Sequence, residues 1–290
     1  MIKRQFPSVS QVNAAFFITA VLTLISSIVF RPRLGLGTNL WINEYVYLLF
    51  APLLLAFLNS WPLEDVYRLK EAPRLSLLLS IPAAICVWPF AAYASRGTKI
   101  LLDRYVGEMP AGGDLVTSVY QSFILVIGMI ILAPICEEIF FRGMVQTAYE
   151  KYMGKRAFLV VGLIFGAYHV LNGVSEIIPT SVLGIAMGYL AQETDSLAPS
   201  MIFHATANIL AVFFGGYLES LASIPTWMHI AAPGALVLGI LILRAVPRKK
   251  PLNEPSMQKE PLPAVGTALL VLSFLYLIGV GVWEITIRLN

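Results

Sequence analysis

The chain has 290 residues, of which 58% are hydrophobic and only 13% are charged. A soluble domain has about a quarter of its residues charged, so this composition excludes an ordinary soluble protein and indicates one that crosses a membrane several times. The formal net charge of +3 is too small to indicate a nucleic-acid partner. The expected surrounding is instead a lipid bilayer.

Apolar segments long enough to cross about 30 Å of hydrocarbon recur along the whole chain. We predict them at residues 12–30, 40–58, 75–94, 120–149, 157–173, 176–192, 198–217, 227–246 and 264–287. The predicted fold class is therefore all-α: a polytopic membrane helix bundle of about eight or nine transmembrane helices. A polar, proline-rich linker at 246–263 separates the last helix from the others.

Lysine and arginine residues concentrate in the loops that would share a side with the N-terminus. Because cytoplasmic loops carry an excess of these residues, we predict a cytoplasmic N-terminus and an outside C-terminus. The expected location is an integral, multi-pass position in a membrane, which is the cell membrane if the source is prokaryotic.

Three ionisable residues interrupt the fourth apolar segment: Glu137, Glu138 and Arg142. Each such group costs on the order of 3 kcal/mol in a membrane helix, which makes it a candidate functional residue. Glu138 and Arg142 are spaced i,i+4 and can neutralise each other on one helix face. Glu137 is turned about 100° away and must find a partner elsewhere in the chain.

Two of the three histidines are predicted to meet this carboxylate. The fourth and fifth segments form a hairpin centred near Met153, which places Glu137 and His169 at the same depth because each lies sixteen residues from that centre. The seventh segment enters from the same side and carries His204 and Asn208 at i,i+4 spacing. Each of these residues taken singly also fits a structural hydrogen bond between helices.

Two further glutamates lie near predicted segment ends. Glu44 follows Trp41 and Glu284 follows Trp283. Tryptophan is enriched at the level of the lipid headgroups. We therefore interpret both pairs as interfacial anchors with no chemical role.

Three short motifs in order carry a family resemblance. They are E-E-x-x-x-R at residues 137–142, F-x-x-x-H at 165–169 and H-x-x-x-N at 204–208. In this order the chain resembles the CPBP family of intramembrane proteases, which includes the CAAX prenyl proteases of the Rce1 type and their bacterial relatives. The resemblance covers about residues 120–217. It suggests three regions: an N-terminal three-helix membrane region at 1–114, a CPBP-like catalytic bundle at 115–246, and a linker with a C-terminal transmembrane helix at 247–290.

The resemblance implies a glutamate-dependent endopeptidase without a cofactor or metal, acting on a membrane-associated protein or peptide. Glu137 would be the general base for a water held jointly with His169. His204 and Asn208 would stabilise the oxyanion, and Glu138 with Arg142 would orient the site. Two alternatives stay open: a zinc protease that uses Glu137 and the histidines as ligands, and a non-catalytic transporter or immunity factor.

Overall fold

A computed structural model describes residues 5–110, 118–249 and 261–290. Within these ranges all regular structure is helical, with no strand. Most of the predicted polar linker, and the predicted region boundary near residue 114, lie outside the described residues. The main helices are α1 (Val9–Val29), α2 (Leu36–Asn59), α3 (Arg74–Tyr105), α4 (119–153), α5 (157–172), α6 (Val174–Thr194), α7 (Ala198–Ser220), α8 (Met228–Arg244) and α9 (Ala264–Leu289).

Among the described residues, seven helical stretches are long and apolar enough to cross a membrane, and one of them, Val119–Asn172, contains both α4 and α5. Helix α8 is a shorter apolar helix. The prediction of an all-α polytopic bundle is confirmed, and the protein is an integral membrane protein.

Helix α3 is longer than predicted. The apolar pattern ended near residue 94, whereas the helix continues to Tyr105 and ends before Gly107, whose φ is +130°. The added turns carry Arg96, Lys99 and Arg104, which were expected in a loop. Lysine and arginine are good helix formers, so loss of apolar character ends the membrane-facing surface without ending the helix.

Helices α4 and α5 form the predicted antiparallel hairpin. The chain reverses at Gly154, which has a φ of +50° that glycine adopts without strain. The rings of Phe141 and Phe165, which are equidistant in sequence from Met153, pack edge to face with centroids 5.0 Å apart. The equal-depth relation between these two helices is therefore confirmed.

Two helices widen into π-helical turns close to the predicted site. In α2 the π-helical segment is Asn43–Phe50, shortly before Pro52. In α4 the segments Gly128–Leu132 and Ile139–Val145 flank a short α-helical stretch that contains Pro134. A proline lacks the N–H that would bond the carbonyl four residues earlier, and its ring clashes with that carbonyl, so the wider turn accommodates it.

Glycines bring α5 and α6 into close contact. A Cβ atom at Gly162 would lie 2.7 Å from the backbone nitrogen of Ile185. A Cβ at Gly184 would lie 2.9 Å from the carbonyl oxygen of Gly162. The two backbones are thus in direct contact, which is the usual role of small residues between membrane helices.

An ionic cluster fixes one end of the bundle, where the loop after α2 meets the ends of α4 and α6. Buried Arg68 forms ion pairs with Glu150 at 2.5 Å and with Asp195 at 3.4 Å. Lys70 pairs with Asp195 at 2.8 Å and with Asp65 at 3.0 Å. Partial burial disfavours the charged form of Lys70, but the hydrogen bonds that Lys70 donates to these aspartates outweigh this effect and raise the pKa of Lys70. This end is the predicted cytoplasmic side, and that orientation stays a prediction.

The glycine contact predicts a stability effect. We expect Gly162→Ala to destabilise the protein by about 1–3 kcal/mol, the range for overpacking a tight interior, because the added methyl group meets the α6 backbone. The measurement is the midpoint of thermal unfolding of the purified protein in detergent.

The matched control is Gly215→Ala in α7, where a Cβ would meet nothing within 4 Å. This variant should unfold at or above the temperature of the parent protein, because alanine is the better helix former. Equal unfolding temperatures for the two variants would contradict the close packing of α5 on α6.

Candidate active site

Glu138 lies at the centre of a buried polar cluster and, like Arg142, is 0% exposed. Its Oε1 accepts a hydrogen bond from Arg142 Nη1 at 2.8 Å and one from His204 Nδ1 at 3.0 Å. Its Oε2 accepts a short hydrogen bond from Ser200 Oγ. The predicted Glu138–Arg142 pair is confirmed, and His204 is bound to the same carboxylate.

Arg142 is held on three sides. Besides Glu138, its Nη2 donates to the Gly184 carbonyl at 3.0 Å. Its guanidinium carbon lies 4.3 Å from the centroid of the Phe165 ring, a cation–π distance. Gly184 is also one of the glycines that bring α6 against α5, so the close helix contact delivers a carbonyl to Arg142.

Glu137 faces the other nitrogen of His204. The distance from His204 Nε2 to Glu137 Oε2 is 3.9 Å, longer than a hydrogen bond. Both side chains are less than 10% exposed. Because His204 Nδ1 donates to a carboxylate, Nε2 carries a proton only when the ring is an imidazolium.

His169 is placed differently from His204. Its Nδ1 donates to the Phe165 carbonyl at 2.8 Å, and its ring centroid lies 4.4 Å from that of Phe165. The Phe165 ring contacts the ring of His204 as well, at 6.1 Å. Among the described residues, His169 makes no hydrogen bond to Glu137. Because Nδ1 donates to the Phe165 carbonyl, the Nε2 of a neutral His169 carries no proton and can accept a hydrogen bond. It lies on the opposite side of the ring from that carbonyl.

Asn208 lies one turn beyond His204 on α7. Its side-chain Nδ2 donates to the carbonyl oxygen of Met129, in the π-helical part of α4, at 2.7 Å. An amide nitrogen has two N–H donors, so one remains for another acceptor. The bond to Met129 fixes the side chain, and therefore the direction of that second donor.

Glu44 is not the interfacial anchor that the sequence suggested. It is only 4% exposed, and its carboxyl group lies beside that of Glu137 inside the bundle. Trp41 donates its Nε1 to the Ile124 carbonyl at 2.8 Å, so it joins α2 to α4. The interpretation failed because helix α4 covers this part of α2, which proximity to a segment end does not reveal.

Glu284, the other predicted interfacial anchor, has defined partners in the structure. Its carboxylate accepts from the backbone N–H of Val174 at 2.7 Å and from Arg288 at 2.8 Å. Trp283 beside it is half-exposed, as a residue at the edge of a membrane helix is expected to be. Glu284 thus attaches α9 to the start of α6, away from the cluster around Glu138.

Ser200 is a site residue that the sequence interpretation missed. It lies four residues before His204 on α7, so the same helix face presents both side chains to Glu138. That i,i+4 spacing was visible in the sequence. Serine is common in membrane helices, however, and its spacing alone does not distinguish a site residue from a bond to its own backbone.

The described residues contain no group of three or more His, Cys, Asp and Glu side chains arranged to hold a metal ion. Glu138 is occupied by Arg142, Ser200 and His204, and Nδ1 of His169 is occupied by a backbone carbonyl. The arrangement therefore resembles a hydrogen-bonded acid–imidazole site more than a set of ligands converging on one point.

The cluster predicts a large effect of removing the buried cation. Arg142→Met leaves Glu138 without its guanidinium partner, and breaking a buried pair in this way typically costs about 3–5 kcal/mol. We expect a much lower unfolding temperature in detergent. In the double variant Arg142→Met with Glu138→Gln the uncompensated charge is absent, so we expect part of the stability to return.

This double variant is the control for lost packing, since it lacks the same arginine contacts. If it were no more stable than Arg142→Met alone, the destabilisation would come from packing and not from the unpaired charge.

Comparison with known proteins supplies one match. A family model described as type II CAAX prenyl endopeptidase, Rce1-like, matches residues 119–210. This range begins with α4 and ends in α7, so it holds Glu137, Glu138, Arg142, His169, His204 and Asn208. No curated protein and no solved structure matches the chain. The matched part is about a third of the chain and contains the buried polar residues of α4, α5 and α7. Over this part, the membrane protein thus matches the Rce1-like CAAX endopeptidases.

Proposed function

We propose that this protein is an intramembrane endopeptidase that hydrolyses a peptide bond of a membrane-associated protein or peptide with a water activated by Glu137. The observation that carries the proposal is the position of Glu137. It is a buried carboxylate whose Oε2 lies 3.9 Å from His204 Nε2, while the neighbouring Glu138 forms the ion pair with Arg142. The match to a family of endopeptidases over these residues supports it.

Two adjacent glutamates have different surroundings and hence different proposed roles. Glu138 accepts hydrogen bonds from three side chains, which leaves its carboxylate less able to take a proton from a water. Glu137 Oε2 accepts no hydrogen bond from any donor in the described part of the chain. A base has to be free to take a proton, so Glu137 is the base and Glu138 positions His204.

The proposed reaction uses the residues in their observed hydrogen-bonding states. A water between Glu137 and the acceptor nitrogen of His169 donates one hydrogen bond to each of them. Glu137 removes a proton as the water oxygen bonds to the peptide carbonyl carbon. When the carbon–nitrogen bond then breaks, the proton on Glu137 passes to the leaving amine nitrogen.

The developing oxyanion would be stabilised from α7. Asn208 offers its second N–H, and His204 offers Nε2–H in its imidazolium form. In that form the ring lies between two carboxylates, with Nδ1 donating to Glu138 at 3.0 Å and Nε2 at 3.9 Å from Glu137. One such donor is typically worth about 3 kcal/mol of transition-state stabilisation.

The substrate class follows from the location of the site in the bundle and from the matched family. The site lies within helices that are apolar enough to cross a membrane. The family description names CAAX prenyl substrates, in which a peptide is attached to a lipid. We therefore propose a substrate that is itself held at the membrane, whether by a lipid group or by an apolar segment.

The proposal predicts that Glu137→Gln abolishes peptide cleavage and leaves the protein folded. Glutamine keeps the shape of the side chain and removes its basicity, and loss of a general base costs about a hundredfold to ten-thousandfold in turnover. Cleavage of a fluorogenic lipidated peptide by the purified variant in detergent is the measurement.

The control is Glu108→Gln, the same chemical change at an exposed position after α3, which should leave turnover unaltered. Cleavage by Glu137→Gln at the parental rate would remove Glu137 from the mechanism. If the parent protein itself cleaves no membrane-associated peptide, the non-catalytic alternative of a transporter or immunity factor replaces the proposal.

A second prediction separates glutamate chemistry from zinc chemistry. Extended dialysis against a strong chelator should leave turnover unchanged, because the proposed base is a side chain and not a metal-bound water. Elemental analysis of the same dialysed sample accompanies the assay. Loss of activity together with stoichiometric zinc, both reversed when zinc is returned, would establish the zinc protease.

A further inference from the structure

A second carboxyl group lies beside the proposed base and comes from outside the matched segment. Glu44 belongs to the π-helical part of α2, whereas Glu137 belongs to α4. The two helices are in close contact nearby, since a Cβ at Gly128 would lie 2.8 Å from the Leu40 side chain. This contact brings Glu44 deep into the bundle, at 4% exposure.

No ion pair joins Glu44 to a basic side chain in the part of the chain that the structure describes. Its carboxyl group lies beside that of Glu137, and the Oε2 atoms of both groups are buried without a hydrogen-bond partner among the described residues. The other titratable groups near it, Cys136 and Tyr168, are both acids. Tyr168 already shares a hydrogen bond of 2.9 Å with Thr23.

Two carboxylates cannot form a hydrogen bond with each other, because each ionised group only accepts. Two neighbouring buried carboxyl groups can therefore form a hydrogen bond only if one of them carries a proton. Like charges side by side in a buried site also cannot both persist, which is why paired carboxyl groups in proteins share a proton.

The charge balance of the whole cluster gives the same result independently. It contains three acids, Glu44, Glu137 and Glu138, and, with His169 in the neutral form that the proposed mechanism requires, two possible cations, Arg142 and His204. Even with His204 charged, two cations balance only two carboxylates. A third carboxylate would be an uncompensated charge in an apolar bundle, which is very costly. One of the three acids is therefore neutral.

Glu138 is not the neutral member, because Arg142 and His204 both bind it. The choice lies between Glu44 and Glu137. Glu137 lies 3.9 Å from a ring nitrogen of His204, whereas no basic side chain of the described residues forms an ion pair with Glu44. The proton is thus better placed on Glu44.

We propose that Glu44 is a positioning residue. Its carboxyl group carries a proton and donates a hydrogen bond to the Glu137 carboxylate. This inference rests in part on the proposed function, since it assigns Glu44 a role in presenting the base. One Glu137 oxygen is then fixed by Glu44, and the other is left to take the proton of the attacking water. The proton of Glu44 stays on Glu44 throughout hydrolysis, so the overall reaction remains balanced.

The first experiment detects the proton without any assay of activity. Infrared spectroscopy of the purified protein at neutral pH should show the carbonyl band of a protonated carboxyl group, since exposed Asp and Glu are ionised there. We expect the band in the parent protein and in Glu137→Gln, and its loss in Glu44→Gln. Absence of the band from the parent, its loss in Glu137→Gln, or its retention in Glu44→Gln would each overturn the assignment.

The second experiment asks whether the donor matters to the base. Glu44→Gln keeps a neutral donor of the same shape, so turnover should stay within about tenfold of the parent. Glu44→Met keeps the volume but removes the donor, and turnover should fall about a hundredfold, as for loss of a single donor in an active site. Unfolding temperatures of both variants show whether each is folded.

Equal turnover of the Gln and Met variants would mean that Glu44 only fills space, and an inactive but folded Glu44→Gln would mean that its own ionisation is needed. Either result overturns the positioning role. The two proposals also fail separately. A parent protein that cleaves nothing refutes the endopeptidase, while the infrared band still decides which carboxyl group holds the proton.

Discussion

Compensation of the Glu138 charge is the constraint on which the site depends. A fully buried carboxylate is tolerable only if donors surround it, and here they come from two helices, α4 and α7. Satisfying Glu138 fixes the rotation of each helix about its axis. It also fixes the imidazole of His204, because the nitrogen that binds Glu138 leaves the other nitrogen directed at Glu137. The hydrogen bonds that neutralise Glu138 thus also orient the proposed catalytic groups beside it.

Aromatic packing transmits this arrangement to α5. Phe165 contacts the guanidinium of Arg142, the ring of His169 and the ring of His204. It therefore spaces the two histidines while covering the cation. Phe16 of α1 packs on the other side against Phe141, so the helix outside the matched segment supports the same layer. The polar residues are few, and the apolar side chains between them determine the distances.

Much of the bundle could be predicted from the sequence, because membrane helices obey simple rules of length and hydropathy. The depth relation between α4 and α5 needed only the rise per residue and the position of the turn. The Glu138–Arg142 pair needed only helical spacing. The partner of His204 was out of reach, since choosing between adjacent glutamates requires the rotation of α4 relative to α7. Glu44 was assigned to the wrong environment because the contact between α2 and α4 depends on small residues far from it in sequence.

The π-helical turns of α4 have a consequence for how this segment tolerates changes in length. A π-helical turn is equivalent to an α-helical turn that contains one inserted residue. Deleting a single residue from Gly128–Leu132 would restore α-helical winding and rotate everything on one side of it by about 100° relative to the other. Near the start of that turn, the Met129 carbonyl accepts a hydrogen bond from Asn208 of α7. Beyond the turn, Glu138 accepts one from His204, which is also on α7. If this segment gained or lost one residue, the Asn208–Met129 and His204–Glu138 hydrogen bonds could not both form. A substitution at constant length would leave both bonds in place.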